Sequence, residues 1–182
     1  MSTASKPSAI YTVGHSTRSA DDFVALLAAH DIRRLVDVRA IPRSRHNPQF
    51  NSDRLPKTLQ NVGIEYDHMP ALGGLRRPIP HSVNFGWRNN SFRGYADYMQ
   101  TEAFSSALDE LIALASSAPT AIMCAEAVPW RCHRSLIADA LVVRGIEALE
   151  IVTTTRTTPH TLTPFVRIDG DRLTYPPEGL PL

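Results

Sequence analysis

Cysteine is scarce in this sequence: 182 residues contain two, Cys124 and Cys132. A pair of thiols does not make a disulfide framework and suits a reducing compartment. Long apolar runs are also missing; none approaches the roughly 20 residues of a membrane-spanning helix, so no membrane partner is expected. Met1 to Ser8 is rich in Ser and Thr and lacks the apolar stretch of a signal peptide. A cytoplasmic protein is expected. An excess of charge is lacking too, with 19 Lys and Arg against 18 Asp and Glu. No global field draws the chain to nucleic acid or an anionic surface, so any such affinity must come from a local cluster. There are no repeats, and no low-complexity run beyond the first eight residues. What remains is an ordinary globular composition, 43% hydrophobic, long enough for one sizeable core.

The most informative stretch runs from Thr120 to Gly145. Ala121-Ile122-Met123 reads as a buried strand after Pro119, and Leu136, Ile137, Ala140 and Leu141 share one face of a helix. Between them lie Cys124, Glu126, Arg131, Cys132, His133 and Arg134. A strand feeding a helix through such a loop presents free N–H groups at the helix start, which favour an anion. Arg131 and Arg134 would add positive charge there. Cys124 alone reads better as core packing than as a reactive group, since Cys is among the most buried residue types. The density of reactive types is what marks a site.

The rest of the chain alternates. Ile10–Val13 has strand character and runs into Gly14-His15-Ser16. Ser19 with Asp22 resembles a capping box ahead of Phe23, Leu26, Leu27 and His30 at helical spacing. Leu35–Arg39 is the next strand, halted by Pro42, which completes a βαβ-sized unit. A short helix over Leu55 to Val62, a strand over Ile64–His68, a long irregular excursion from Leu72 to Gly94 and one or two helices up to Ala115 follow. Beyond the Thr120 stretch come a strand over Ala148–Val152 and a hairpin about Asp169-Gly170-Asp171. The expected architecture is α/β: a loose start over residues 1–9, then a single domain over 10–182. It has a mostly parallel sheet with helices on both faces, and a C-terminal β-hairpin over 165–175. Right-handed crossovers put every parallel strand's carboxyl end on one edge, where ligands of such folds bind. His15, Ser16, Asp37, Arg39, Asp67, His68, Cys124 and Glu126 all fall at strand ends. Taken singly, Asp37 could be half of a structural ion pair with Arg39, and His15 could merely bond backbone.

Gly14-His15-Ser16, Asp37-Val38-Arg39 with Pro42 and Ser44, Leu72-Gly73-Gly74 with Arg76, Phe92 to Met99, Cys124-Ala125-Glu126 and Cys132-His133-Arg134 occur in that order. Together they resemble a bacterial and archaeal family called domain of unknown function four-eight-eight, over roughly Tyr11 to Val152. The resemblance implies no activity. It implies that His15, Asp37, Arg39, Arg76, Glu126, Cys132, His133 and Arg134 are the positions to watch. Leu-Val-Asp-Val-Arg is also similar to rhodanese-like proteins, which place a reactive Cys between strand and helix. Here the loop after Cys124 is longer and contains proline. A cysteine phosphatase would need a Gly-rich turn and an Arg six residues after the Cys, and position 130 is Trp.

The first expectation is an enzyme acting on a phosphorylated small molecule or nucleotide. His15, Ser16, Arg39, Arg76, Arg131 and Arg134 would bind the anion. Cys124 or Cys132 would be nucleophile, and Asp37, Glu126 and His133 the acid/base candidates. The alternative is a nucleic-acid-binding or nucleic-acid-processing protein using the basic-aromatic segment 76–98, where Trp87, Arg88, Phe92, Arg93 and Tyr95 could grip phosphates and stack on bases. Those aromatics read equally as core packing. A metal held by Cys124, Cys132 and His133, with His15 or His68, fits poorly: structural zinc favours Cys two to four residues apart. No cofactor is expected.

Overall fold

The computed structural model describes residues 6–178. Five parallel strands form its spine: β1 (Ala9–Gly14), β2 (Arg34–Asp37), β3 (Glu65–His68), β4 (Thr120–Cys124) and β5 (Glu147–Thr153). A sixth, β6 (Arg156–Pro159), pairs antiparallel with β5, and the order across the sheet is β3-β2-β4-β1-β5-β6. Helices α1 (Ala20–Ala29), α2 (Leu55–Gln60), α3 (Asn90–Tyr98), α4 (Glu102–Ala115) and α5 (Arg134–Val143) complete a single α/β domain.

Strand side chains alternate between faces, and here both faces are covered. Val13, Leu35, Ala121 and Met123 pack with Phe23, Leu26 and Leu27 of α1 and Leu55 and Leu59 of α2. Their neighbours Ile10, Val36, Ile122 and Cys124 pack on the other side with Tyr95, Phe104, Leu108, Leu136 and Leu141 of the remaining helices. Strands buried on both faces read as near-continuous apolar runs, which is why β2 and β4 were visible in the sequence.

Local signals act as expected in most places. The Ser19 hydroxyl accepts from Asp22 N–H at 3.0 Å and caps α1, an interaction of about 1 kcal/mol. Thr101 caps α4 by accepting from Phe104 N–H, so the segment after Tyr95 is two helices and not one. The tail hairpin pairs β7 (Arg167–Asp169) with β8 (Arg172–Thr174) around Gly170, whose φ of +60° suits glycine in the turn. β6 had no expectation: Arg-Thr-Thr-Pro carries no apolar alternation because it is a largely exposed edge strand. β1 begins at Ala9, one residue inside the segment expected to be loose, and residues 1–5 of that segment lie outside the described residues. No described helix is long and apolar enough to cross a membrane.

The long excursion between Leu72 and α3 is held by one carboxylate. Asp97 is buried, and its Oδ1 accepts from the Ser82 hydroxyl at 2.5 Å and Asn84 Nδ2 at 2.8 Å. Its Oδ2 accepts from Ile79 N–H at 3.0 Å, and the Asn84 side chain then accepts from Tyr175 N–H, tying the tail to the same loop. Three donors depend on one acid, and each orphaned group costs about 1–3 kcal/mol. Asp97→Ala is therefore expected to lower stability by about 3 kcal/mol or more, read as a lower urea midpoint.

Candidate active site at the carboxyl edge

The centre of the sheet brings β2, β4 and β1 side by side, with Gly14 in register with Cys124 and Asp37 with Met123. The ladder continues past the strands: His15 N–H donates to Cys124 O and Ser16 N–H to Ala125 O, both at 2.9 Å. This seats the chain after β4 directly on Gly14. A Cβ at position 14 would lie 1.9 Å from Glu126 O, so only glycine permits the approach. His15, Ser16, Arg39, Arg43, Asn47 and Glu126 then line one cleft of about 430 Å³.

Two buried arginines support this edge. Arg39 grips Asp37 with a fork, Nε to Oδ1 at 2.8 Å and Nη2 to Oδ2 at 2.6 Å, and Nη2 also donates to Phe50 O. The Tyr66 hydroxyl donates to the same Asp37 oxygen at 2.7 Å, and Asp37 has no exposed surface. Only Nη1 of Arg39 is lightly engaged, 3.3 Å from His15 Nε2. His15 is buried and stacked on Phe50, with ring centroids 4.1 Å apart. Burial, reinforced by the charge on Arg39, lowers its pKa to about 4, although the bond to Ser16 O works the other way. At neutral pH it is an uncharged ring, donating from Nδ1 to Ser16 O at 2.8 Å and turning a lone pair to Arg39.

The second arginine is Arg134, the first residue of α5, with no exposed surface. Its Nε donates to Cys124 Sγ at 2.9 Å and its Nη2 to Glu126 O at 2.7 Å. Nη1 donates to Thr12 Oγ1 and to Glu150 Oε2, at 2.9 and 2.8 Å. Burial opposes its charge, but Cys124, Glu150 and Cys132 around it more than offset that, and its pKa rises. Cys124 Sγ and Cys132 Sγ lie 2.7 Å apart. Burial and the contact with Cys132 push the Cys124 thiol up, whereas the bond from Cys124, helped by His133 and Arg134 against burial, holds Cys132 down. Glu150 is raised, chiefly by burial, despite its partner.

The residues singled out in the sequence thus separate into three groups. His15, Ser16, Arg39 and Glu126 line the cleft. Asp37, Cys124, Cys132, His133 and Arg134 form the support beside it, and neither sulfur lines the cavity. Arg76 and Arg131 stand apart. Arg76 lies over the Tyr98 ring at 3.7 Å and donates to Gly73 O, while Arg131 is exposed at the end of a 3-10 turn. At the expected anion position, the start of α5, three backbone donors are turned back into the chain. Ser135 N–H turns back to Cys132 O, and Leu136 and Ile137 N–H to His133 O, so those donors are spent. Cys132 precedes the helix in extended backbone and is not in its first turn. Among the described residues, no group of three or more His, Cys, Asp or Glu is placed to hold a metal.

Thr12, Arg43, Asn47, Tyr66 and Glu150 were not anticipated. Glu150 had a legible signal, a lone carboxylate inside the apolar run of β5. A second cavity, of about 740 Å³, carries Trp87, Trp130, Pro164 and Phe165, with Thr12 and Glu150 also on its wall. Ala127 lines both cavities.

Fold and edge together define a single-domain parallel-sheet α/β protein with a polar cleft at the strand ends, underlain by two buried arginine clusters. The chain belongs to the family described as domain of unknown function DUF488, whose model matches residues 19–141. No curated protein and no solved structure matches it.

The His15 environment sets a pH dependence. Below about pH 6.5 the unfolded chain protonates this histidine, while the folded protein refuses the proton until about pH 4. The His15 contribution therefore makes stability fall as pH drops through that window, by up to about 3 kcal/mol. Urea unfolding at pH 7 and pH 4.5 measures it. His15→Gln should lack this component of the pH slope, and an unchanged slope in the variant would contradict the assignment.

Proposed function

We propose that this protein is an enzyme acting on a phosphorylated small molecule, with a nucleotide the best match. The observation that carries the reading is the pair of cavities sharing Ala127: a polar cleft bordered by Arg39 and Arg43, and a larger one on whose wall the Trp130 ring stands exposed. Phosphate suits the first and a flat base the second. Arg43 is exposed and lies at the cleft, and Arg39 Nη1 is the part of that fork not committed to Asp37 or Phe50.

Glu126 is the acid/base group of this reading. Its Oε1 accepts from Val128 N–H at 3.0 Å, which orients the carboxylate in the cleft wall. General acid–base help of this kind is worth about 10²–10⁴-fold. Cys124, Cys132 and His133 act through position, since none of them lines the cleft. The nucleic-acid alternative receives less support. Trp87 stacks on Phe92 at 4.8 Å and meets Phe165 edge-on, and Tyr95 is buried with its hydroxyl donating to Leu72 O. Most of the stacking residues of segment 76–98 are consumed by packing.

Calorimetric titration with inorganic phosphate, ribose 5-phosphate and adenosine 5′-monophosphate tests the reading. Binding is expected to strengthen along that series, and Arg43→Ala should weaken it about tenfold or more, the loss of one charge-assisted bond. Glu126→Gln should leave binding within about twofold and reduce turnover of phosphorylated substrates by about 10²-fold. Failure of every phosphorylated ligand to bind would sink the proposal.

A further inference from the structure

The proposed reaction leaves two nucleophiles unused. Cys124 ends β4 and Cys132 precedes α5, eight positions apart in sequence, and the fold sets their sulfurs 2.7 Å from one another. A disulfide bond is about 2.05 Å long, so closure needs little movement. Both are free thiols.

We propose that Cys124 and Cys132 form a dithiol that reduces hydroperoxides, with Cys132 attacking first and Cys124 closing the disulfide. Cys132 is 7% exposed and Cys124 3%, so a molecule as small as hydrogen peroxide fits the approach better than a protein disulfide does. His133 Nε2 donates to Val38 O at 3.0 Å, which leaves the Nδ1 lone pair 3.6 Å from Cys132 Sγ to take its proton. Arg134, at 2.9 Å from Cys124 Sγ, sets a fixed positive charge beside the pair. Both neighbours help to lower the pKa of Cys132, while burial and the contact with Cys132 raise that of Cys124 against the pull of Arg134; the thiolate is the attacking form.

The Cys132 thiolate attacks one peroxide oxygen, the O–O bond breaks, and the departing hydroxide takes the proton held at His133 to give water. Sulfur is oxidised to a sulfenic acid and the peroxide is reduced. Cys124 sulfur then attacks Cys132 sulfur, the S–O bond breaks, and the leaving hydroxide departs as water with the Cys124 proton. Two thiols and one hydrogen peroxide give one disulfide and two waters.

The experiment treats the reduced full-length protein with hydrogen peroxide and follows intact mass and free thiols under denaturing conditions. The expected result is loss of both thiols and of two hydrogens in mass, within one chain, reversed by dithiothreitol. In Cys124→Ser, dimedone should trap a sulfenic acid at Cys132. In Cys132→Ser, Cys124 should react at least about tenfold more slowly, as a protonated thiol does. The wild-type mass needs no variant, and thermal melting confirms that each variant is folded. Wild-type thiols that survive peroxide sufficient to oxidise a free cysteine peptide would overturn the proposal. So would disulfides formed only between chains. A Cys132→Ser protein as reactive as Cys124→Ser would overturn the assignment of roles.

Discussion

A guanidinium with no access to water is costly unless every donor is met, and Arg134 meets its donors from four places at once. Thr12 comes from β1, Cys124 from β4, Glu150 from β5, and the Glu126 carbonyl from the loop between β4 and α5. A cation at a helix start is also opposed by the helix dipole. Glu150 and the sulfur pair offset both penalties. Removing Arg134 would leave the part-buried Glu150 without its partner, beside a hydroxyl that already donates to it. Beside the backbone ladders, one side chain therefore ties the β4–α5 loop to β1, β4 and β5.

The same logic recurs at Asp37 and Arg39, a pair closed off by Tyr66, Phe50 O and His15. Breaking a buried pair costs about 3–5 kcal/mol, because the surviving charge is stranded. Both arginines were expected to grip a substrate anion. Both are instead largely committed to the protein, and the exposed Arg43 is the cation left at the cleft. An arginine beside strand ends in the sequence can thus mean a fixed edge onto which the cleft is built.

How much of this was legible follows from what periodicity can and cannot carry. β1, β2 and β4 announced themselves as short apolar runs buried on both faces, and α1 and α5 by the helical repeat of their apolar side chains. The rule that parallel strands share a carboxyl edge then placed His15, Ser16, Arg39 and Glu126 together. β6 was invisible because an edge strand of Thr and Arg has no buried face to pattern. Arg43 and Asn47 sit in a loop, where the side chains that reach a cavity depend on tertiary geometry and not on spacing. The division of Cys124, Cys132 and His133 from the cleft was equally hidden. Sequence proximity to Glu126 says nothing about which side of the loop faces the cavity.

That loop joins the two chemistries of the edge. Arg134 donates to Cys124 Sγ and to Glu126 O, so one guanidinium reads the charge at sulfur and positions the backbone of the acid/base candidate. A Cys132 thiolate beside Cys124 gives Arg134 a second negative neighbour besides Glu150. A disulfide would remove that charge and leave Glu150 as the sole compensating anion. The loop that carries Glu126 and Ala127 is thus joined to the sulfur pair through two hydrogen bonds of one buried side chain.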